Sequence, residues 1–321
     1  MGGDFAPGEI VEGAHQAVAE GVNSVLFGDP AVIDPGDLPL VATSEVVDMH
    51  ADPGSAVRRL KDASVVRAAE AVRDGNAAAM VSAGNTGAAM ASALLRMGRL
   101  RNVARPAIAI PFPIFGRKYP NLLLDCGANV DCQPSWLLQF ACMGAVHAQD
   151  RFGVETPRVG LLSIGEEETK GNALVKEAYQ LLAAPQWQEK VGCSFVGNVE
   201  GRDLLDAKAD VIVTDGFTGN VMLKTTEGVA RHLISAVLNS FNTSEETKQA
   251  ADVLAPALSP LYESWNPDTT GGGVLLGING ICVISHGSSR AAAIKSAILM
   301  AHELVERGAI VHLQQAMEEY S

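Results

Sequence analysis

The sequence predicts an α/β protein in which helices cover both faces of a mainly parallel sheet. Short apolar runs alternate with helical patterns along the chain, as in successive βαβ units. The composition is rich in Ala, Val, Leu and Gly with only 5% aromatic residues, which suits such a sheet better than an all-β sandwich. Several apolar runs end on polar, Gly-containing clusters, where strands of these sheets turn into helices.

Strands are predicted from apolar runs bounded by turn residues. In chain order they are Ser24–Gly28, Leu40–Val41, Ala77–Ser82, Ala107–Ile110, Leu122–Leu124, Val159–Ser163, Cys193–Val196, Val211–Thr214 and Ile281–Ser285. Helices are predicted from apolar residues spaced three and four apart. In chain order they are Ile10–Glu20, Ser55–Arg73, Met90–Arg99, Trp136–Ala148, Ala173–Leu182, Glu227–Leu238, Glu245–Trp265 and Ala291–Gln315.

Charge and composition exclude several classes of protein. The 24 basic and 37 acidic residues leave a formal net charge of −13, which argues against nucleic-acid binding. The five Cys form no CxxC pair and no zinc spacing, which predicts buried thiols in a reduced, cytoplasmic protein. The longest apolar stretch, residues 274–285, is interrupted by glycines and is shorter than the ~20 residues of a membrane span. No sequence feature requires a metal or another cofactor.

Six polar clusters carry the functional signal. They are MGGD (1–4), SAGNTG (82–87), DCGANVD (125–131), SIGEEETKGN (163–172), DGFTGN (215–220) and SHGSS (285–289). A cluster that opens a helix after a strand presents backbone N–H groups at the positive end of the helix dipole, which favours phosphate. All but the first are expected at the carboxyl ends of strands, where open α/β sheets bind ligands. Together they indicate a phosphate-handling enzyme.

Three longer motifs accompany these clusters. GNVEGRDLL (197–205) lies between the fourth and fifth clusters, ADVIVTDGFTGNVMLKTTEG (209–228) contains the fifth, and GINGICVISHGSS (277–289) contains the sixth. Along nearly its whole length the chain resembles the fatty acyl–[acyl carrier protein]:phosphate acyltransferases of bacterial phospholipid synthesis. The resemblance implies a two-domain, three-layer αβα fold like those of phosphate acetyltransferase and isopropylmalate dehydrogenase. It implies a discontinuous first domain of residues 1–135 and 286–321, and a second domain of residues 136–285 that forms a homodimer.

The reaction implied by the resemblance moves a long-chain acyl group from acyl carrier protein to inorganic phosphate, giving acyl-phosphate without a cofactor. Three features depart from the family pattern. Members carry a short apolar strand before the first cluster, which opens here at Met1, so we expect one edge of the sheet to be affected. Ser163 stands where Asn is usual, and Ala63 stands where a second Ser is usual.

Four residues are candidates for the catalytic roles. Lys170 is expected to contact phosphate or the thioester oxygen, the alternative being an exposed cation that balances neighbouring glutamates. Asn220 is expected to donate to the oxyanion, or to cap its helix. Asp215 is expected to orient Lys170 or a nearby amide, or to form a local turn. His286 is expected to protonate the departing thiolate, or to make a structural hydrogen bond.

A larger set of cluster residues is predicted to bind phosphate and substrate. These residues are Gly3, Asp4, Ser82, Gly84, Asn85, Thr86, Gly87, Asp125, Asn129, Gly171, Asn172, Gly219, Gly287 and Ser288. Each has the alternative of forming a tight turn or a helix cap, since Ser, Asn, Asp and Gly are favoured there regardless of chemistry.

A basic stretch is predicted to dock the acidic carrier protein. Arg96, Arg99, Arg101 and Arg105 reverse the overall charge locally, and Arg117 and Lys118 could extend the patch. The alternative is a solvated surface. A second stretch, Val253–Trp265, places Leu, Tyr and Trp near two prolines and is either the core of the dimer or an apolar tip that touches a membrane.

Three rival functions remain open from the sequence. The first is a nicotinamide-dependent dehydrogenase of the related fold, although the chain has no GxGxxG motif. The second is a phosphate acetyltransferase-like enzyme that uses acyl-CoA. The third is a non-catalytic regulator that binds phosphate or an acyl group.

Overall fold

A computed structural model describes residues 2–265 and 271–320, with residues 260–265 described by their backbone alone. In this part of the chain the helices are α1 Gly8–Ala19, α2 Pro53–Arg59, α3 Ser64–Arg73, α4 Thr86–Arg96, α5 Pro134–Phe152, α6 Ala173–Ala183, α7 Pro185–Val191, α8 Gly216–Phe241, α9 Glu245–Trp265, α10 Ala291–Glu306 and α11 Ala309–Tyr320. A short 3₁₀ turn spans Gly201–Leu205. The strands are β1 Leu26–Gly28, β2 Leu40–Ala42, β3 Ala79–Ser82, β4 Ala107–Phe112, β5 Asn121–Leu124, β6 Arg158–Leu162, β7 Ser194–Val199, β8 Val211–Val213, β9 Gly273–Leu276 and β10 Ile281–Ile284.

Eight of the strands form one sheet in the order β3-β10-β9-β4-β5-β8-β6-β7. The sheet is mixed, because β9, which was not predicted as a strand, enters between β10 and β4 antiparallel to both. Strand β4 is also antiparallel to β5, whereas β5, β8, β6 and β7 run parallel. The carboxyl ends of β3 and β10 therefore lie at one edge, and those of β5, β8, β6 and β7 lie at the opposite edge.

Helices pack on both faces of this sheet and form three layers. Alternate side chains of β5 enter opposite cores, since successive residues of a strand point to opposite faces. Leu122 and Leu124 join the core under α5, α10 and α11, with Phe140 and Met143 of α5 fully buried. Leu123 joins the other core, under α3, α4 and the first turns of α8. The predicted α/β class, with a three-layer arrangement, is confirmed.

Three predicted helices differ most from the structure. The predicted helix Ser55–Arg73 is divided into α2 and α3, because the Ser64 backbone N–H donates to Glu45 (3.1 Å) and residues 60–63 form a turn beside that loop. The predicted terminal helix is divided at Gly308, which adopts φ +66°. Helix α8 begins at Gly216, well before the predicted start at Glu227.

Strands β1 and β2 form a separate two-stranded parallel sheet. A cavity of about 420 Å³ lies between β1 and β3, covered by residues of α1 and α10. Strand β3 is the edge strand of the large sheet, and Gly2 lies against Gly84 just after it. Strands β9 and β10 belong to the predicted second domain, yet β10 pairs with β3 and β9 pairs with β4 of the predicted first domain. The division into two domains stays a prediction. In the described part of the chain, no helix combines the length and the apolar character that a membrane span needs.

Candidate active site

A cleft of about 180 Å³ lies over one face of the sheet, between the start of α4, one side of α8 and the turn of residues 285–289. Four of the six predicted clusters contribute to its lining, through Thr86, Cys126, Asn220 and His286. The floor is apolar and comes from short strands in the middle of the sheet, β4, β9 and β10. Because these strands are only four to six residues long, clusters from both edges of the sheet reach the same cleft.

The first two clusters are held against the turn of residues 285–289. The Asp4 backbone N–H donates to the Gly287 carbonyl oxygen (2.8 Å), and Gly2 lies directly against Gly84. Gly3 lies between the backbones of the second and sixth clusters, at residues 83 and 287. Its φ of +103° is left-handed, and this close approach leaves no room for a side chain. Three clusters predicted to share a site are therefore in contact.

The SAGNTG cluster forms the start of α4. Asn85 is its N-cap: its Oδ1 accepts from Ala88 (2.9 Å), while its Nδ2 donates to Met49 of the neighbouring loop (3.0 Å). Ser82 Oγ accepts from the Gly84 backbone N–H (3.2 Å). Thr86 lines the cleft, and Gly87 of the first turn packs against Pro53 at the start of α2. The capping role of Asn85 is observed, and its predicted contact with phosphate stays a prediction.

Asp125 and Asn129 hold the DCGAN turn together. Asp125 is fully buried, and its carboxylate accepts from the backbone N–H groups of Ile108 (2.9 Å), Ala128 (3.1 Å) and Asn129 (2.7 Å). The Asn129 amide donates to the same carboxylate (2.9 Å) and to Pro106 (2.8 Å). Burial raises the pKa of Asp125 even though these hydrogen bonds act in the opposite direction. These contacts give both residues a structural role behind the cleft.

The DGFTGN cluster forms the first turn of α8. Asp215 is the N-cap, and its carboxylate accepts from the Thr218 N–H and hydroxyl (both 2.8 Å). Gly219 packs against the backbone of Asp125. Asn220 is exposed and lines the cleft, and its side-chain amide makes no hydrogen bond within residues 2–265 and 271–320. Of the predicted residues here, Asn220 alone presents its side chain to the cleft.

The SHGSS turn supplies an imidazole and several hydroxyl groups. His286 Nδ1 lies 2.8 Å from Ser288 Oγ and accepts from the Ser288 backbone N–H (3.2 Å). A neutral His286 ring therefore carries its proton on Nε2. Ser289 is buried and its hydroxyl lies 2.8 Å from that of Ser285. Partial burial lowers the pKa of His286, and the positive charge of Lys224 lowers it further.

Three charged residues of the cleft were missed by the sequence reasoning. Lys224, Glu227 and Arg231 follow Asn220 at steps of four, three and four along α8, so all four lie on one face of the helix. Lys224 Nζ lies 2.9 Å from Glu227 Oε2. The signal was present in the sequence as the helical spacing of polar residues after DGFTGN.

The SIGEEETKGN turn lies outside the lining of this cleft. It follows β6 at the same sheet edge as Asp125 and Asp215, one strand beyond β8. Lys170 is exposed, Gly171 adopts φ +100°, and Asn172 caps α6 by accepting from Val175 (2.9 Å). The predicted contact of Lys170 with substrate stays a prediction.

The predicted docking patch begins at the far end of α4. Arg99, Arg101 and Arg105 are exposed, and Arg105 stacks on the ring of Trp136 (5.0 Å). Arg96 lies 3.5 Å from Glu70 and is half-buried. Arg117 does not extend the patch, because its guanidinium pairs with the buried Asp210 and stacks on Tyr119.

Comparison with known proteins identifies the family. The model of the family described as "Fatty acid synthesis protein" matches residues 1–312. A phosphate acyltransferase of Pelotomaculum thermopropionicum is 46% identical over 327 residues, covering 99% of this chain and 93% of that protein. A phosphate acyltransferase of Elusimicrobium minutum is 44% identical over 330 residues, covering 99% and 94%.

Solved structures agree at the level of the fold. A phosphotransacetylase from Streptococcus pyogenes superposes with a TM-score of 0.62 at 16% identity, covering 94% of this chain and 92% of that one. A phosphotransacetylase from Staphylococcus aureus gives a TM-score of 0.60 at 15% identity, covering 93% and 91%. The predicted likeness to the phosphate acetyltransferase fold is confirmed. With its sequence matched over nearly its full length, the chain belongs to the phosphate acyltransferase family of fatty acid and phospholipid synthesis and is an acyltransferase.

Proposed function

We propose that the protein transfers a long-chain acyl group from the thioester of acyl carrier protein to inorganic phosphate, giving acyl-phosphate and the free carrier thiol. The observation that carries this proposal is the cleft itself. It brings the Asn220 amide, an imidazole, hydroxyl groups and two cations to one face of the sheet. Those groups can hold a phosphate dianion beside a carbonyl that develops negative charge.

The cleft supports a direct transfer. A phosphate oxygen attacks the thioester carbon, the carbonyl oxygen becomes an oxyanion, and the C–S bond breaks with its electron pair on sulfur. The Asn220 amide donates to the oxyanion, and the Nε2–H of the neutral His286 ring donates a hydrogen bond to the departing thiolate. The thiolate takes up the proton that hydrogen phosphate gives up as it becomes the acyl-phosphate. A thiol with pKa ~8.5 leaves readily, so the imidazole assists the step and the rate depends mostly on electrostatic stabilisation.

Lys170 enters the same proposal from the neighbouring turn. Its exposed ammonium, close to the edge where β5 and β8 end, meets the phosphate or the thioester oxygen as substrate approaches. Asn198 supports the position of this turn, because its buried amide donates to the Glu167 carbonyl oxygen (2.8 Å), which also accepts from the Lys170 backbone N–H (3.0 Å).

The carrier protein is proposed to dock on the exposed arginines. Helix α4 has 11 residues and joins Thr86 in the cleft to Arg96 at its other end. That length is about 16 Å at 1.5 Å per residue. A flexible prosthetic arm on a carrier bound at Arg99, Arg101 and Arg105 can therefore run along α4 into the cleft.

The active form is proposed to be a homodimer built on α8 and α9. Val229, Leu233 and Val237 follow one another at intervals of four and are 53%, 59% and 48% exposed. The stripe calls for a second apolar surface. Light scattering should give a dimer for the native chain and a monomer for Leu233→Glu, with Asn239→Glu as the control on the same helix.

The alternative for the apolar residues of α9 is a membrane contact. Flotation of the native chain with anionic vesicles, abolished by Val253→Glu, would assign these residues to that contact.

One experiment tests the reaction. The protein is incubated with palmitoyl-acyl carrier protein, with and without inorganic phosphate, and free thiol and acyl-phosphate (trapped as hydroxamate) are measured. We expect both products in equal amounts and only with phosphate. Asn220→Ala should lose most of the rate, whereas Asn239→Ala should keep it. Higher turnover with acetyl-CoA, reduction of a nicotinamide, or binding without acyl release would each replace this proposal with one of its rivals.

A further inference from the structure

We propose that Lys224 is the cation that binds inorganic phosphate in the cleft, and that Glu227 competes with phosphate for it. This inference rests on the proposed reaction and assigns the acceptor half of the site to one side of α8. The prediction from sequence did not consider Lys224 and placed Lys170 at the phosphate or at the thioester oxygen. With Lys224 at the phosphate, the second of these roles is left for Lys170.

The position of Lys224 is fixed by its helix. Asn220 and Lys224 are four residues apart on α8, so their side chains lie one above the other along the same face. Both line the cleft, and so do His286 and Ser288 on the opposite wall. An anion between these walls meets an ammonium, an amide and a hydroxyl together.

The charge environment of His286 supports this proximity. The charges of Lys224 and Arg231 both act to lower the pKa of His286, while those of Glu227 and Asp4 act to raise it. The geometry agrees, because Lys224 and His286 line the same cleft. The phosphate and the imidazole that hydrogen-bonds to the thiolate then face each other across the cleft.

The ion pair of Lys224 with Glu227 is of the kind that exchanges easily. The two groups lie 2.9 Å apart, yet their side chains are 48% and 31% exposed. An exposed pair on one helix is weak, since water and salt screen it. A phosphate dianion carries more charge than the carboxylate and can take over the ammonium, which is a compact point charge suited to phosphate.

A second lysine gives a matched control. Lys248 on α9 pairs with Glu245 three residues before it, at 3.8 Å, and is 51% exposed. Lys248 does not line the cleft. Replacing either lysine by Met therefore removes one exposed, ion-paired ammonium and keeps the length of the side chain.

The test measures the KM for phosphate at saturating palmitoyl-acyl carrier protein. We expect Lys224→Met to raise this KM at least about tenfold, because it removes a charge-assisted hydrogen bond to phosphate. The KM for the acyl donor should change much less. Glu227→Gln should lower the KM for phosphate about twofold to fivefold, because it removes the competing carboxylate. Lys248→Met should match the native protein.

A binding measurement separates this inference from the proposed reaction. Phosphate should raise the Tm of the native protein and of Lys248→Met, against chloride at equal ionic strength, and should raise that of Lys224→Met much less. A native KM and a native phosphate shift in Lys224→Met would overturn the assignment, even where the native enzyme makes acyl-phosphate. Absence of acyl-phosphate in the native enzyme, together with a phosphate shift that depends on Lys224, would overturn the reaction and keep the anion site.

Discussion

The backbone of Gly219 lies so close to Asp125 that a Cβ on residue 219 would overlap the Asp125 carbonyl oxygen. The Gly216 N–H also donates to the Asn129 carbonyl oxygen (2.7 Å). The first turn of α8 therefore packs directly on the turn after β5, backbone against backbone. This contact sets the position of Asn220 and of every cleft residue that follows it on α8.

Gly219→Ala should destabilise the fold by about 3 kcal/mol or more, because the opposing atom belongs to the backbone and cannot move aside. Gly228→Ala is the control on the same helix. A Cβ there meets open space, so helix propensity should make that variant more stable by up to about 1 kcal/mol. Urea unfolding of both variants decides the matter, and equal stabilities would refute the packing argument.

His147 should make the fold sensitive to acid. Complete burial lowers the pKa of His147 to about 3, far below the usual value near 6.5, and the positive charge of Arg151 acts in the same direction. Below pH 6.5 the His147 imidazole is protonated in the unfolded chain but stays neutral in the folded chain. Stability therefore falls as pH drops towards 3, with a slope that approaches about 1.4 kcal/mol per pH unit from this group, and is independent of this group above pH 7.

The contribution of His147 is measured by the difference in urea stability between pH 4.5 and pH 7. His147→Met should reduce that difference, whereas His50→Gln, at an exposed histidine, should leave it near the native value. Identical slopes in all three proteins would show that His147 is not the titrating group.

Lys170→Ala should lower kcat about a hundredfold or more, because it removes the charge that we propose meets the substrate. It should leave the urea midpoint unchanged, because the side chain is exposed. Lys176→Ala, at an exposed lysine of the following helix, is the control and should retain full turnover. A normal kcat in Lys170→Ala would leave Lys170 with the alternative role of balancing the surrounding glutamates.

Reversal of charge at the docking patch should weaken carrier binding. We expect Arg101→Glu with Arg105→Glu to raise the KM for acyl carrier protein about tenfold at low salt, with the effect shrinking as salt screens the surface. Arg59→Glu changes the net charge outside the patch and should have little effect. A KM for the carrier that does not respond to either the substitutions or salt would exclude this docking surface.

The sequence predicted most elements of the fold and missed those that depend on distant partners. Apolar runs are enough to find β5, β6 and β8, which are buried on both faces. Strand β9 was missed because it begins at Gly273 and is followed by Gly277, and both look like turn residues. Its strand character comes from pairing with β4 and β10. The break after α2 was missed for the same reason, since the bridge between Ala63 and Glu45 overrides the helical pattern.

The site was predicted through its turns and missed along its helix. The polar clusters that carry Thr86, Asn220 and His286 do meet at one cleft. A helix start placed at Glu227 left Lys224 in a supposed loop, so the stripe that runs from Asn220 to Arg231 was not recognised. The helical pattern located the later part of α8. The first three turns contain Gly and Thr, which have low helix propensity, so the sequence did not indicate that the helix begins at Gly216.

Glu9 holds the start of α10, where its carboxylate accepts from the Ala291 N–H (2.7 Å) and pairs with Arg290, 281 positions along the chain. Contacts of such long sequence separation form late in folding, because the chain must lose the entropy of closing a very large loop before the contact can stabilise it. During synthesis the N-terminal third emerges long before its C-terminal partner. A nascent chain whose α10 is still inside the ribosome lacks this contact and should therefore be catalytically silent.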